Sequence, residues 1–150
     1  AAGGGKIGQV FNVKLTTTQD IDTQTWTDVT SLTQAITPAA TSSKILCMYT
    51  INISAASDGM SRLMRDSTAI GIADASGDRA RASVEGVNRS VYESTCHAFC
   101  FLDEPNSTSA ITYKVQAQAT TCQINYSQTD SDAFTYGHGT STLTVMEVLA

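Results

Sequence analysis

KILCMYTINIS, residues Lys44 to Ser54, is the stretch whose reading decides the fold. Ile45, Cys47, Tyr49, Ile51 and Ile53 take every second position, while Leu46, Met48, Thr50, Asn52 and Ser54 between them turn from apolar to polar. Side chains on a strand alternate between faces, so the first set makes an apolar stripe about 30 Å long at roughly 3.3 Å per residue. Its β-branched and aromatic members suit a pleated surface. A helix needs apolar residues at three- and four-residue intervals, and this run lacks them. The stretch predicts a long strand inside a sheet, with one side in the core.

Downstream, Ala55 to Gly59 reads as a turn. Arg62 to Asp66 and Thr68 to Ile72 predict a hairpin around Asp66-Ser67. Asp74 to Asp78 is a further turn before a short strand near Arg81 to Glu85, and Val91 to Leu102 is a second long strand. The clearest alternation is Ile111, Tyr113, Val115, Ala117 and Ala119 against Thr112, Lys114, Gln116 and Gln118. Cys122 to Tyr126 gives a short strand, Gln128 to Thr140 a polar loop, and Thr142 to Leu149 a last strand. Upstream, Ala1 to Gly5 reads as a flexible lead-in, and Ile7, Gln9, Phe11, Val13 and Leu15 share one face of a first strand. Thr16 to Asp22 reads as polar connection. Trp26 to Val29 and Leu32 to Ile36 read as two short strands closed by Pro38, which removes a ladder donor.

About nine or ten strands with short connections, and no helix, predict an all-β antiparallel two-sheet sandwich of the jelly-roll kind, spanning residues 6–150 as one domain. The first and last strands are expected side by side in one sheet.

Composition agrees. Charged residues are only 15% and apolar ones 41%, and hydroxyls make up the difference, with 22 Thr and 16 Ser. A formal charge of −5 argues against a non-specific nucleic-acid binder, although all five arginines lie between Arg62 and Arg89. No apolar run reaches the roughly 18 residues of a membrane span, and no signal peptide opens the chain. It begins with Ala, which points to a removed initiator, processing, or a piece of a longer protein. Cys47, Cys96, Cys100 and Cys122 each sit in a strand-like pattern and read as buried thiols, with a cross-strand bridge from Cys47 or Cys122 left open.

Few residues point to chemistry. On a strand Cys96 and Cys100 share a face about 13 Å apart and His97 points the other way, too far for one zinc ion with ligands at about 2.0–2.3 Å. Asp74 with Asp78, and Asp130 with Asp132, offer oxygens to calcium but read as solvated turn carboxylates. His138 lies between two glycines in a polar loop, and no G-x-S-x-G or phosphate loop accompanies it. The N-x-S/T triplets at Asn52, Asn88, Asn106 and Asn125 are common by chance in so hydroxyl-rich a chain. No enzyme, cofactor or metal is therefore expected. Arg62 and Arg65 read either as solvated hairpin arginines or as inter-subunit contacts, and Trp26, Tyr92 and Phe134 join them as candidate interface residues.

A family resemblance rests on several strings. They are Ile36-Thr37-Pro38 with Ser43-Lys44-Ile45-Leu46, Arg62 to Gly71 (RLMRDSTAIG), Phe101-Leu102-Asp103 with Pro105, Thr112 to Gln116, and Ser141 to Val148. Together they resemble small β-sandwich virion surface proteins of tailed bacteriophages, especially aquatic ones, over Lys6 to Leu149. The resemblance implies a virion-surface component without catalysis. Its leading form is a capsid decoration or cement protein, a homo-trimer tying neighbours of the major capsid protein together. The alternative is a trimeric tail-fibre or spike head that binds a host receptor or glycan through the loops Ser57–Gly59, Asp74–Asp78 and Gln128–Gly139.

Overall fold

The computed structural model describes residues 5–86, 90–127 and 132–149, and in these every regular element is a strand. In chain order they are β1 (Lys6–Leu15), β2 (Gln19–Ile21), β3 (Thr27–Ile36), β4 (Lys44–Ala55), β5 (Gly59–Arg65), β6 (Thr68–Ile70), β7 (Val84–Gly86), β8 (Ser94–Asp103), β9 (Ile111–Gln118), β10 (Cys122–Ile124) and β11 (Ser141–Leu149). As its sequence requires, β4 is interior to a sheet. One edge of it carries β11 opposite Lys44–Thr50 and then β10 opposite Ile53–Ala55, and the other edge carries β8 from Ile45 to Ser54. β1 extends the sheet beyond β11, and β2 extends it beyond β10. The second sheet runs β3-β9-β5, with β6 and β7 sharing the far edge of β5.

All pairings are antiparallel, and four of them are nested. β1 lies against β11, β3 against β9, β4 against β8, and β5 against β6. That is one long hairpin rolled up on itself, the winding of a jelly roll. The first and last strands thus meet in one sheet. Between the sheets, Ile45, Tyr49, Ile51 and Ile53 of β4 join Leu63, Tyr113, Val115, Leu143 and Val145 in one buried cluster.

Four local features depart from the alternation expected. Trp26–Val29 and Leu32–Ile36 belong largely to a single strand, β3, whose register shifts between Asp28 and Thr33 with Ser31 at φ 64°. The odd number of extra residues in this irregularity lets Val29 and Leu32 both point inward despite their three-residue spacing. A second shift, between Ile7 and Val10, turns the start of β1 over. Phe11 and Val13 pack on the core, but Ile7 is 55% exposed. β2 forms inside the segment expected as polar connection, because Ile21 is buried and pairs with Cys122. In β8 the faces are opposite to the burial expected of its cysteines: His97, Phe99, Phe101 and Asp103 face inward, and Cys96 and Cys100 are exposed.

Candidate functional site

The sandwich encloses two polar clusters, and both involve the inward face of β8. Ser61 of β5 and His97 of β8 face each other across the core, with Ser61 Oγ 2.9 Å from His97 Nδ1 and 3.0 Å from the Tyr49 hydroxyl. Serine beside histidine is the arrangement of an activated nucleophile. Here the third member is a phenol and not a carboxylate, and Ser61, His97 and Tyr49 are all sealed from solvent. No substrate reaches them. The hydroxyls instead let a histidine be buried.

His97 Nε2 has no hydrogen-bond partner and lies so close to Gly86 of β7 that any Cβ there would run into the ring. Burial lowers the His97 pKa from 6.5 to about 4. A base whose folded pKa lies below its unfolded one binds fewer protons when folded. The stability it confers is therefore complete above pH 6.5 and is lost as the pH falls from 6.5 towards 4, by up to about 3 kcal/mol. Urea unfolding of the wild type and of His97→Gln at pH 7 and at pH 4.5 should show the wild type losing about 2 kcal/mol more than the variant across that interval.

The second cluster centres on Asp103. Arg65 Nη1 donates to both carboxylate oxygens at 3.0 Å, and the Tyr113 hydroxyl donates to Oδ2 at 2.6 Å. Arg65, expected as a solvated or inter-subunit arginine, is thus engaged within the domain and ties β5 to β8 and β9. Asp66 is likewise occupied, for its Oδ1 accepts the Thr112 amide at the hairpin turn. A second buried carboxylate, Glu147 of β11, accepts the Ala39 amide at 2.6 Å and the Gln9 side chain at 3.0 Å. Burial pushes its pKa up, but those donors bring it below the usual carboxylate value.

The remaining candidate residues lie on two separate surfaces. On the outer side of the β3-β9-β5 sheet, the Arg62 guanidinium stacks 4.2 Å over the Trp26 ring and donates to Gln116 Oε1 at 2.9 and 2.7 Å. Gln116 and Lys114 each donate to Asp28 at 2.7 Å. Trp26 and Arg62 are therefore brought together, in a half-buried polar lattice. Tyr92 and Phe134 are elsewhere, 66% and 105% exposed, with Tyr136 near Phe134 in sequence. The start of β8 and the loop before β11 meet around a hollow of about 180 Å³, where Ser94, Gly137 and Gly139 join Asn52, Asn125 and Tyr126. Asp130 and Asn88 lie outside the described residues. Among the described residues no three His, Cys, Asp or Glu side chains could hold one metal ion.

Sequence reasoning missed an apolar surface that runs across four strands. Register places Val10 of β1 beside Met146 of β11, Met146 beside Leu46 of β4, and Leu46 beside Leu102 of β8, all pointing away from the core. Ile7 with Val148 and Met48 with Cys100 flank this row. Ile7, Val10, Met48 and Leu102 are 36–55% exposed. The signal was present as Leu46, Met48 and Met146 in the polar phase of their strands, but only the register aligns them into a band.

All four cysteines are thiols. Burial pushes Cys122 up to about 12 and Cys47 still further, so neither forms a thiolate readily. Neither a protein-family model nor a curated protein matches the chain.

Proposed function

We propose that this protein is a non-enzymatic structural component of a tailed-phage virion, a capsid decoration or cement protein seated on the shell as a trimer. The observation that carries the reading is the apolar band Val10–Met146–Leu46–Leu102, which crosses four strands on the outer face of one sheet. Monomeric proteins seldom leave so continuous an apolar row open to water, and such rows mark surfaces that meet other proteins. The band offers the area with which a decoration protein grips coat subunits or its own sister subunits, and the surrounding sandwich supplies rigidity. The family resemblance over Lys6 to Leu149 supplies the setting.

Cryo-electron microscopy of particles of the virus that encodes the chain tests this directly. Density for this sandwich is expected at the local three-fold positions of the capsid, with Leu102→Lys and Val10→Lys reducing its occupancy at least tenfold. A capsid without such density overturns the reading.

A second reading, a fibre or spike head binding a host receptor or glycan, is favoured by a different observation. Exposed Phe134 and Tyr136 occur in the loop that borders the amide- and hydroxyl-lined hollow near Asn52, and exposed Tyr92 lies two residues before Ser94, which lines it. Flat aromatic faces beside hydrogen-bonding groups suit sugars, and density at the tail tip in the same particles would select this alternative.

A further inference from the structure

Sheet edges expose unpaired backbone donors and acceptors, and folded proteins guard them with bulges, lysines, prolines or short strands. Here every edge but one is guarded. β1 carries Lys6, Lys14 and the register shift between Ile7 and Val10. β3 carries its own shift between Asp28 and Thr33, and β2, β6 and β7 have three residues each. β8 differs on every count. Its ten residues pair with β4 in unbroken register, and they include no Lys, Arg, Pro or Gly. Its single acidic side chain, Asp103, is buried and paired inside. Among the described residues, no backbone hydrogen bond reaches β8 from anything but β4. About half of its N–H and C=O groups therefore face the side away from β4, where no described backbone group bonds to them.

We infer that β8 pairs with β8 of a second copy of this chain, antiparallel about a two-fold axis at Ala98, joining two sheets into one. The occupant is argued from self-complementarity. A two-fold axis makes the paired strands antiparallel, and the same edge then supplies both sets of donors and acceptors. With the axis at Ala98, Ser94 to Leu102 are paired, and Asp103 stays with Arg65. Small Ala98 faces its own copy, and Cys96 faces Cys100 of the second copy, each exposed on the outward side. None of the paired residues, Ser94 to Leu102, is acidic, lysine or arginine, and Glu93 of one copy comes opposite Asp103 of the other just beyond each end. Moving the axis one residue to Phe99 would draw Asp103 into the pairing opposite Thr95 and separate the cysteines. The inference concerns the edge of the sheet and not its outer face, so it holds or fails independently of the virion reading.

Light scattering on the purified full-length chain reads the contact as mass. Ala98→Lys places two ammonium groups opposite each other, and Ala98→Glu two carboxylates. Each variant should unfold as cooperatively as the wild type but show half its particle mass, whatever assembly the outer face also makes. An equimolar mixture of the two should recover the full mass, because opposite charges then meet. Mild oxidation gives a second readout. Copper(II)–phenanthroline in air removes two protons and two electrons from a facing Cys96–Cys100 thiol pair, leaving a disulfide between copies. A covalent dimer should appear on a non-reducing gel and vanish in Cys96→Ser, since each bridge uses one Cys96. A mass unchanged in both charge variants, or a mixture that stays at half mass, overturns the proposal. So does oxidation that yields no Cys96-dependent dimer.

Discussion

Replacing Ile53 by Asp should abolish cooperative folding of this domain near neutral pH. Ile53 is fully buried in β4 and lies between Ile124 of β10 and Thr95 of β8, so no cation stands within the ladder to receive a carboxylate. Removing the isoleucine forfeits about 2–3 kcal/mol of apolar burial. Burying an unpaired carboxylate, or keeping it protonated there, costs several kcal/mol more. The total, at least about 5 kcal/mol, equals the whole stability of many domains. Ile51 is a less clean choice because it faces His97, which could take up a proton beside a new carboxylate. Thr50→Asp provides the control: that side chain is exposed on the opposite face of β4, and the cost there should stay within about 1 kcal/mol. Urea unfolding followed by circular dichroism separates the two. Equal tolerance at both positions would show that the facing of β4 is inverted.

Asp103→Ala should cost about 3 kcal/mol, through what it strands and not only through what it removes. The carboxylate accepts both bonds from Arg65 and one from Tyr113, whose phenol is held neutral by burial and by the adjacent Asp103 charge. Without the acceptor, the buried Tyr113 hydroxyl loses its partner. The Arg65 guanidinium is about one-third exposed and recovers part of its loss from water, which keeps the figure below that of a fully enclosed pair. A double-mutant cycle isolates the network. Tyr113→Phe alone should destabilise by about 1–2 kcal/mol, yet be neutral or stabilising in the Asp103→Ala background, where it deletes an orphaned hydroxyl. Strictly additive free energies from urea titrations would show that the two groups do not act together.

These two outcomes rest on different kinds of information. The burial of Ile53 is legible in KILCMYTINIS, since one phase of that run is unbroken by charge and only a strand keeps such a phase on one side. The same holds for β9 and β11, whose alternation fixed their inner faces before any partner was known. The partnership around Asp103 is not legible, because Arg65 and Tyr113 reach it from β5 and β9, 38 and 10 residues away. Arg62 and Trp26 likewise meet only because β3 and β5 flank β9 in one sheet.

Local periodicity by itself determined that the chain is built of strands with one inward apolar face each, because a period of two admits no other regular structure. Tertiary structure decided the facing of β8, where both phases carry apolar residues and neither wins on hydrophobicity. Ser61 accommodates His97, and Arg65 with Tyr113 accommodates Asp103, so the polar residues could go inward and the cysteines outward. Tertiary structure also decided the apolar band and the unguarded edge. Both are properties of register and strand order, which no single stretch of sequence contains.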